Sequence, residues 1–407
     1  MIQFLALASS VGFIAKGIVM SEMLHELNQS TQPIRPMKVF NNWEVVPKGW
    51  YVACKSSELK TKKPLSKKIC GHQIVVFRGE SGSVKALDSF CPHMGMNFAK
   101  DGKVVGEDIR CHFHFWTFNG KGECTDIPSV KGTVKKSTCN RYKVQAYPVE
   151  EKYGLVWVYS DTVAPHPVFE IPELEGQEIL YTHMKPFNRV AHPHITMMNS
   201  IDEQHMRTVH KLSVSLEVTN WEKGTRFFNG FSGPVLTDTL VGKIHKFFLG
   251  DRYSSSVLFE DGNLGLLTTG IDIKLFNRWT IPRGYFIFSH TFTEKGKNQV
   301  HPIVVTPKRK GLLGFLFSHA YLLFNKICMW YLAYQDGRVI YGNLRFRQDG
   351  LLAEMDGATA KWINFVNRVI EPSLWSRSKA KTEKTDLNEL PTGPQAKEES
   401  PEVPLSQ

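Results

Sequence analysis

Four residues in two short stretches carry the strongest chemical signal in this chain: Cys91-Pro92-His93 and Cys111-His112-Phe113-His114. Each stretch offers one thiol and one imidazole, and seventeen residues separate His93 from Cys111. Two thiolates and two imidazoles can hold a structural zinc ion. Zinc knuckles, however, group like ligands, cysteines in one half and histidines in the other. A cluster of two irons and two sulfides, with cysteines on one iron and histidines on its neighbour, needs one ligand of each kind from each loop. On that reading Cys91 and Cys111 hold one iron, and His93 and His114 hold the other. His112 has the wrong offset and reads as an outer or surface residue. Zinc stays as the alternative occupant, and it predicts a colourless protein.

A second constellation lies downstream, Asn199-x-x-Asp202-x-x-His205-x-x-x-x-His210. Two neutral imidazoles and one carboxylate on one face of an iron leave positions open for O2 and substrate. Taken alone, two histidines at this spacing are a weak signal, and a structural pair is the default reading. Five residues turn an ideal helix by roughly 140°. A regular helix therefore cannot aim both rings at one metal, so a π-bulge or a helix end is expected between them.

Together the motifs resemble those of the catalytic subunits of Rieske-type non-haem iron oxygenases. They stand in the family's order, about 90 residues apart, and the resemblance runs from about Trp43 to Trp362. The respiratory Rieske proteins carry an extra, disulfide-forming cysteine in each loop. Met96 and its neighbours supply none, so the centre is similar to the lower-potential oxygenase and ferredoxin type. The resemblance implies a third iron ligand far downstream. Asp336, after a long apolar run, matches best, and Asp349 and Asp356 match less well. It also implies that Asp202 bridges a Rieske histidine of a neighbouring subunit to an iron-ligating histidine, His205, within a head-to-tail homotrimer. A carboxylate suits that task because it accepts hydrogen bonds from both imidazoles. The motif version is most similar to the ketosteroid hydroxylases and cholesterol 7-desaturase-like monooxygenases. Phe115-Trp116 stands where Gly-Trp or Gln-Trp is common, Tyr341 where Trp is common, and Met198 where Glu is frequent. These departures spare the metals and weaken any claim about substrate.

The activity so implied uses a [2Fe–2S] cluster, a mononuclear Fe(2+), O2 and a small, hydrophobic polycyclic substrate, with hydroxylation or desaturation of a C–H bond. No Gly-x-Gly-x-x-Gly follows a strand, so the electrons must come from a separate NAD(P)H-dependent reductase or ferredoxin. A Rieske electron carrier without oxygenase activity is the alternative. It needs the first motif only.

The elements that must position these residues fit an α+β chain. Its 407 residues suggest two to three domains. Short strands with close turns run from Trp43 to Tyr159, the pattern of a small antiparallel β domain. Asp161 to Pro172 reads as a linker. Met197 to Leu212 reads as a helix, 225–305 as strands, and 311–345 and 358–371 as helices. The expected organisation is an N-terminal extension (1–40), a Rieske domain (41–160), a mononuclear-iron domain (161–375) and a disordered Lys/Glu/Ser/Pro-rich tail (376–407). The resemblance implies a helix-grip-like (START-like) antiparallel sheet with helices for the second domain. His183, His192, His194, His245 and His290 read as structural.

The net charge of +11 is compatible with an anionic surface or an acidic redox partner. The lysine cluster at 55–68 lacks interleaved aromatics, which argues against nucleic acid. Seven cysteines do not suggest a secreted disulfide framework. A cytoplasmic protein is expected, with peripheral membrane contact open through residues 1–24 or 311–332. The first segment lacks the basic start of a signal peptide. The second reads better as a buried amphipathic helix, although Lys308, Arg309 and Lys310 precede it.

Overall fold

The computed structural model describes residues 38–376, except 272–273, 276–277, 281, 295, 341–343, 345 and 352–355. The apolar N-terminal segment, the tail beyond 376 and Tyr341 lie outside the described residues.

From Trp50 to Tyr159 the chain forms three small antiparallel sheets. One joins Trp50–Lys55, Leu155–Tyr159 and Val149–Lys152. A second joins Leu65–Ile69, His72–Arg78, Val84–Asp88 and Ala146–Tyr147. Two tight hairpins set their registers, one at Cys70-Gly71 and one at Tyr153-Gly154. All four of these residues have positive φ, 50° to 83°, the backbone of a two-residue primed turn. The third sheet, Lys103–Val105, Asp108–Arg110, Thr117–Phe118 and Cys124–Asp126, carries a cluster loop. Helices α1 (Phe98–Asp101) and α2 (Gly132–Arg141) flank it. Cys124 and Cys139 form a disulfide across this region, a pairing the sequence did not suggest.

The proline-rich stretch after Asp161 is not a free linker. Val168, Phe169 and Ile171 are buried in one core with Trp50, Trp157, Ile287 and Val305. The first small sheet thus packs directly on the large sheet of the second domain. His166 and the buried Asp261 clamp the junction at 3.2 Å, and Asn263 donates to the Trp50 carbonyl at 2.8 Å.

The second domain is an eight-stranded antiparallel sheet. Its main path runs Ile179–His183, Lys297–Pro307, Gly284–Glu294, Leu264–Thr269, Arg252–Glu260, Arg226–Pro234 and Glu217–Lys223. Phe187–Arg189 pairs beside Lys297–Pro307. Its helices are α3 (Pro193–Met198), α4 (Glu203–Thr208), α5 (Leu240–Leu249), α6 (Gly311–Ile340) and α7 (Gly357–Val369). Trp362, Ile363, Phe365 and Val366 of α7 are buried against Phe227, Val257 and Phe259 of the sheet. Each fully buried apolar side chain of this size contributes about 1.5–3 kcal/mol.

Residues 38–40 belong to this core and not to an extension. Val39 and Phe40 are buried with α7, and the Lys38, Val39 and Phe40 N–H groups converge on Asn367 Oδ1 at 2.8–3.0 Å. The helix expected from Met197 to Leu212, with an end or bulge between His205 and His210, is broken earlier as well, into α3, a single 3-10 turn at Asn199–Ile201, and α4, which ends at Thr208. Asp202 stands between them in an extended conformation and caps α4. A side-chain acceptor there competes with helical continuation.

Helix α6 departs most from expectation. It is not buried. Of its most apolar stretch only 17% of the residues are inside the protein. Its inner side rests on the sheet through Met329, against Phe286 and Val304.

Candidate metal centres

The two cluster loops are built alike. The Cys91 N–H donates to the Met96 carbonyl at 2.9 Å, and the Cys111 N–H donates to the Trp116 carbonyl at 2.8 Å. Each loop therefore closes between a cysteine and the residue five positions on. Each also needs one residue at positive φ just before that point: Gly95 at 75° and Phe115 at 60°. Glycine adopts this backbone freely, whereas a phenylalanine is strained in it.

Both cysteines are buried in the core with Phe98, Ile109 and Phe118, so the loops are anchored at their sulfur ends. The histidine ends, His93 and His114, are half-buried. The His93 and His114 rings lie 4.6 Å apart, and Trp116 stacks on His93 at 4.4 Å with a 6° tilt. A hydrogen bond between the Cys91 and Cys111 thiols pulls Cys111 down and pushes Cys91 up. The buried Nδ1 of His93 has no partner among the described residues. Two buried facing thiols and an orphaned imidazole nitrogen fit a metal cluster between the loops. His112 is exposed and takes no part. Exposed Met94, Phe113 and Phe115 form an apolar rim.

The second centre gathers residues from distant segments. His205 Nε2 lies 2.9 Å from Asp336 Oδ1, and His210 Nε2 lies 3.1 Å from the same oxygen. One ligand atom from each of the three residues falls within 4.8 Å of the others. Helix α4 ends between the two histidines, at Thr208. The His210 N–H then reaches the His205 carbonyl at 3.5 Å, five residues back, and the backbone swings the second ring toward the first. The rings end 4.9 Å apart and nearly perpendicular. Burial would raise the Asp336 carboxyl, but hydrogen bonds from His205 and His210 outweigh it and hold the group down to about 2. Two imidazole nitrogens facing one ionised carboxylate suit a divalent metal with open positions.

Gln335, beside Asp336 on α6, was not singled out from the sequence. Its Oε1 lies 2.9 Å from His210 Nδ1. Accepting from Nδ1–H fixes the tautomer that leaves Nε2 free for a metal. Asp202 accepts from the His205 backbone N–H at 3.1 Å, so within one chain it acts as a helix cap. The weaker ligand candidates lie elsewhere. Asp349 pairs with Arg347 on the surface, and Asp356 accepts from Gln204.

A cavity of about 240 Å³ adjoins the triad. Its walls are mainly apolar, with Met197, Leu267, Phe288, Val300, Met329 and Leu332. His245, His290 and Arg189 also line it, so two histidines read as structural border the candidate ligand space. His183 is structural, 2.6 Å from the Tyr153 carbonyl. His192 and His194 are buried, with Trp43 edge-on to His192 and Phe40 stacked on His194.

Residues 49–148 match the family described as the Rieske [2Fe-2S] domain. Over 175 residues, 41% of this chain, the sequence is 33% identical to cholesterol 7-desaturase nvd of Bombyx mori, covering 36% of that protein. Over 133 residues, 32% of this chain, it is 35% identical to the oxygenase component of 3-ketosteroid-9-alpha-monooxygenase from Rhodococcus rhodochrous, covering 34% of it. The matches thus span about a third of these relatives' length. Dicamba monooxygenase shares the fold over 79% of this chain and 97% of its own, with a TM-score of 0.50 and 17% identity.

Proposed function

We propose that this chain, whose residues 49–148 match the Rieske [2Fe-2S] domain and whose fold is similar to that of a Rieske-type oxygenase, is the oxygenase component of a two-part system. A separate NAD(P)H-dependent reductase or ferredoxin supplies electrons. The chain uses them with O2 to hydroxylate or desaturate a C–H bond of a small, hydrophobic polycyclic substrate. The observation that carries this reading is the convergence of His205, His210 and Asp336 beside an apolar cavity, in a chain that also holds the cluster loops. When bound, the cluster supplies single electrons and the mononuclear iron binds O2.

The chain's own residues set the stage. Cys91, His93, Cys111 and His114 would hold the cluster with its histidine side toward a partner. His205, His210 and Asp336 would hold the iron, with Gln335 fixing the His210 ring. The apolar walls exclude water and favour an apolar ligand. Asp202, at the start of α4, would connect a Rieske histidine of a neighbouring copy to His205 in a head-to-tail trimer. The relatives named for cholesterol and ketosteroid chemistry support a polycyclic substrate. The electron-carrier alternative leaves the triad and its cavity without a purpose.

The test is iron and acid-labile sulfide per chain on anaerobically purified protein, with EPR after dithionite reduction. About three irons, two sulfides and a rhombic signal are expected. Sterol-dependent O2 uptake with a surrogate reductase then tests the reaction. Two irons without the third would favour the carrier, and zinc in a colourless protein would sink both readings.

A further inference from the structure

Helix α6 presents an apolar surface that the protein does not cover. Leu312, Leu313, Leu316, Leu323, Ile327 and Trp330 are each more than half exposed, Leu313 at 82%. The stretch Gly311–Gly337 is long and apolar enough to cross a membrane. Yet its inner side is pinned lengthwise to the sheet, with Met329, Ser318 and Asn325 buried. A helix so held lies along a surface and does not cross it. Helix α5 repeats the pattern on a smaller scale, with Leu240 74% exposed and Ile244 about half exposed.

Charge decides what this face meets. Residues 240–250 and 308–334 contain six Lys or Arg and no Asp or Glu. Lys308 pairs with Glu178 and Lys246 with Asp251, both from outside these helices. Lys310 and Lys243 remain exposed beside the apolar side chains. Trp330 and Tyr331 sit toward the other end of the face, suited to the boundary between water and acyl chains. A second copy would bring the same acid-free face and no carboxylates for these cations. An anionic lipid surface supplies negative headgroups and an apolar layer together.

We propose that α5 and α6 dock this protein on an anionic lipid bilayer, lying in its interface. The same two helices wall the cavity, through His245 on α5 and Met329, Leu332 and Ala333 on α6. Docking there sets the cavity against a lipid phase, so a ligand dissolved in the bilayer is the substrate class it would serve. That last step rests on the oxygenase reading, whereas the docking does not.

The experiment is co-sedimentation of the full chain with phosphatidylcholine vesicles, with or without roughly a third phosphatidylglycerol. The chain should pellet with the anionic vesicles at low salt and be released by high salt. The double variant Leu323→Glu/Ile327→Glu should lower the bound fraction by about tenfold or more, with its circular dichroism and cluster EPR unchanged. If that variant fails to fold, Lys310→Glu with Lys243→Glu should abolish the preference for anionic vesicles. No pelleting with either vesicle, or pelleting that the variants do not alter, overturns the proposal. So does a concentration-dependent dimer that the Leu323/Ile327 variant dissociates without any lipid binding. Iron measured on the same preparations keeps the two readings apart: vesicle binding without iron leaves docking standing and removes the oxygenase.

Discussion

The two metal centres solve opposite problems. The cluster site is assembled within 26 residues, Cys91 to Trp116, and shows an apolar rim to solvent. The triad is assembled from segments 131 residues apart and opens on an internal cavity. A site that exchanges electrons with another protein must sit near the surface. On the proposed reading the triad handles O2 beside a C–H bond, and such a site must exclude water. The two should therefore fail independently. Asp336→Ala should remove the mononuclear iron and lower turnover by on the order of a thousandfold or more, while the cluster EPR signal stays. Cys111→Ser should do the reverse, erasing the cluster signal and leaving about one iron per chain. Loss of both signals in either variant would mean that the sites are not separable.

The proposed link between the centres gives the next effect. Asp202 has two candidate roles, a helix cap seen here and an electron path to a neighbouring copy. Asn caps a helix about as well as Asp, so Asp202→Asn separates them. The expected outcome is an unchanged melting temperature and a turnover lower by about a hundredfold. Pre-steady-state reoxidation of the reduced cluster by the mononuclear centre should slow in parallel. A variant with normal reoxidation would reduce Asp202 to its capping role.

Smaller again is the outer support of the triad. Gln335→Leu removes the acceptor at His210 Nδ1 and should weaken metal affinity by about tenfold, read by competitive chelation. Gln335→Glu keeps an acceptor and should recover most of it. If both variants bind metal alike, ring orientation is set by packing alone.

The difference in construction also explains what could be read from the sequence. Cys91, His93, Cys111 and His114 are close in the chain, and their alternating types signal a two-iron cluster without any fold. His205 and His210 were recognisable only in company with that motif. Asp336 was singled out by family resemblance, because nothing local marks a carboxylate that works 131 residues from its partner. Gln335 escaped because its role depends on where α6 meets α4. The break at Asp202 escaped because apolar periodicity continues through it while the capping side chain does not. The apolar run at 311–332 suggested burial, since composition alone does not distinguish a core helix from one whose outer face is left uncovered.

Histidines of the second domain also differ among themselves in how they respond to pH. The second domain buries His192, His290 and His301, and burial pushes them down to about 3, 3 and 4 from an ordinary 6.5. The folded protein refuses protons that the unfolded chain accepts below pH 6.5. Stability contributed by these groups is present above that pH and lost as pH falls toward 4. The loss should reach on the order of a few kcal/mol by about pH 5. His166 runs the other way. Its hydrogen bond to Asp261 raises it to about 9, so its contribution is full below pH 6.5 and disappears as pH rises through 9. Melting temperature should therefore peak near neutrality. His166→Gln should flatten the alkaline side only, and a flattened acid side in that variant would contradict the assignment.

The smallest effect compares the two cluster loops with each other. They share one closing bond and one positive-φ position, filled by Gly95 in the first and Phe115 in the second. A non-glycine residue there costs about 1–2 kcal/mol, partly offset because glycine leaves a more flexible unfolded chain. Phe115→Gly should raise stability by up to about 1 kcal/mol, measured as cluster-domain melting, with the EPR signal unchanged. Gly95→Ala should lower it by a similar amount, since it introduces the same strain into the other loop. The Phe115 ring also meets His112 edge-on at 6.2 Å. A lower melting temperature for Phe115→Gly would mean that this contact outweighs the strain, and that the two loops, though alike in backbone, are held by different forces.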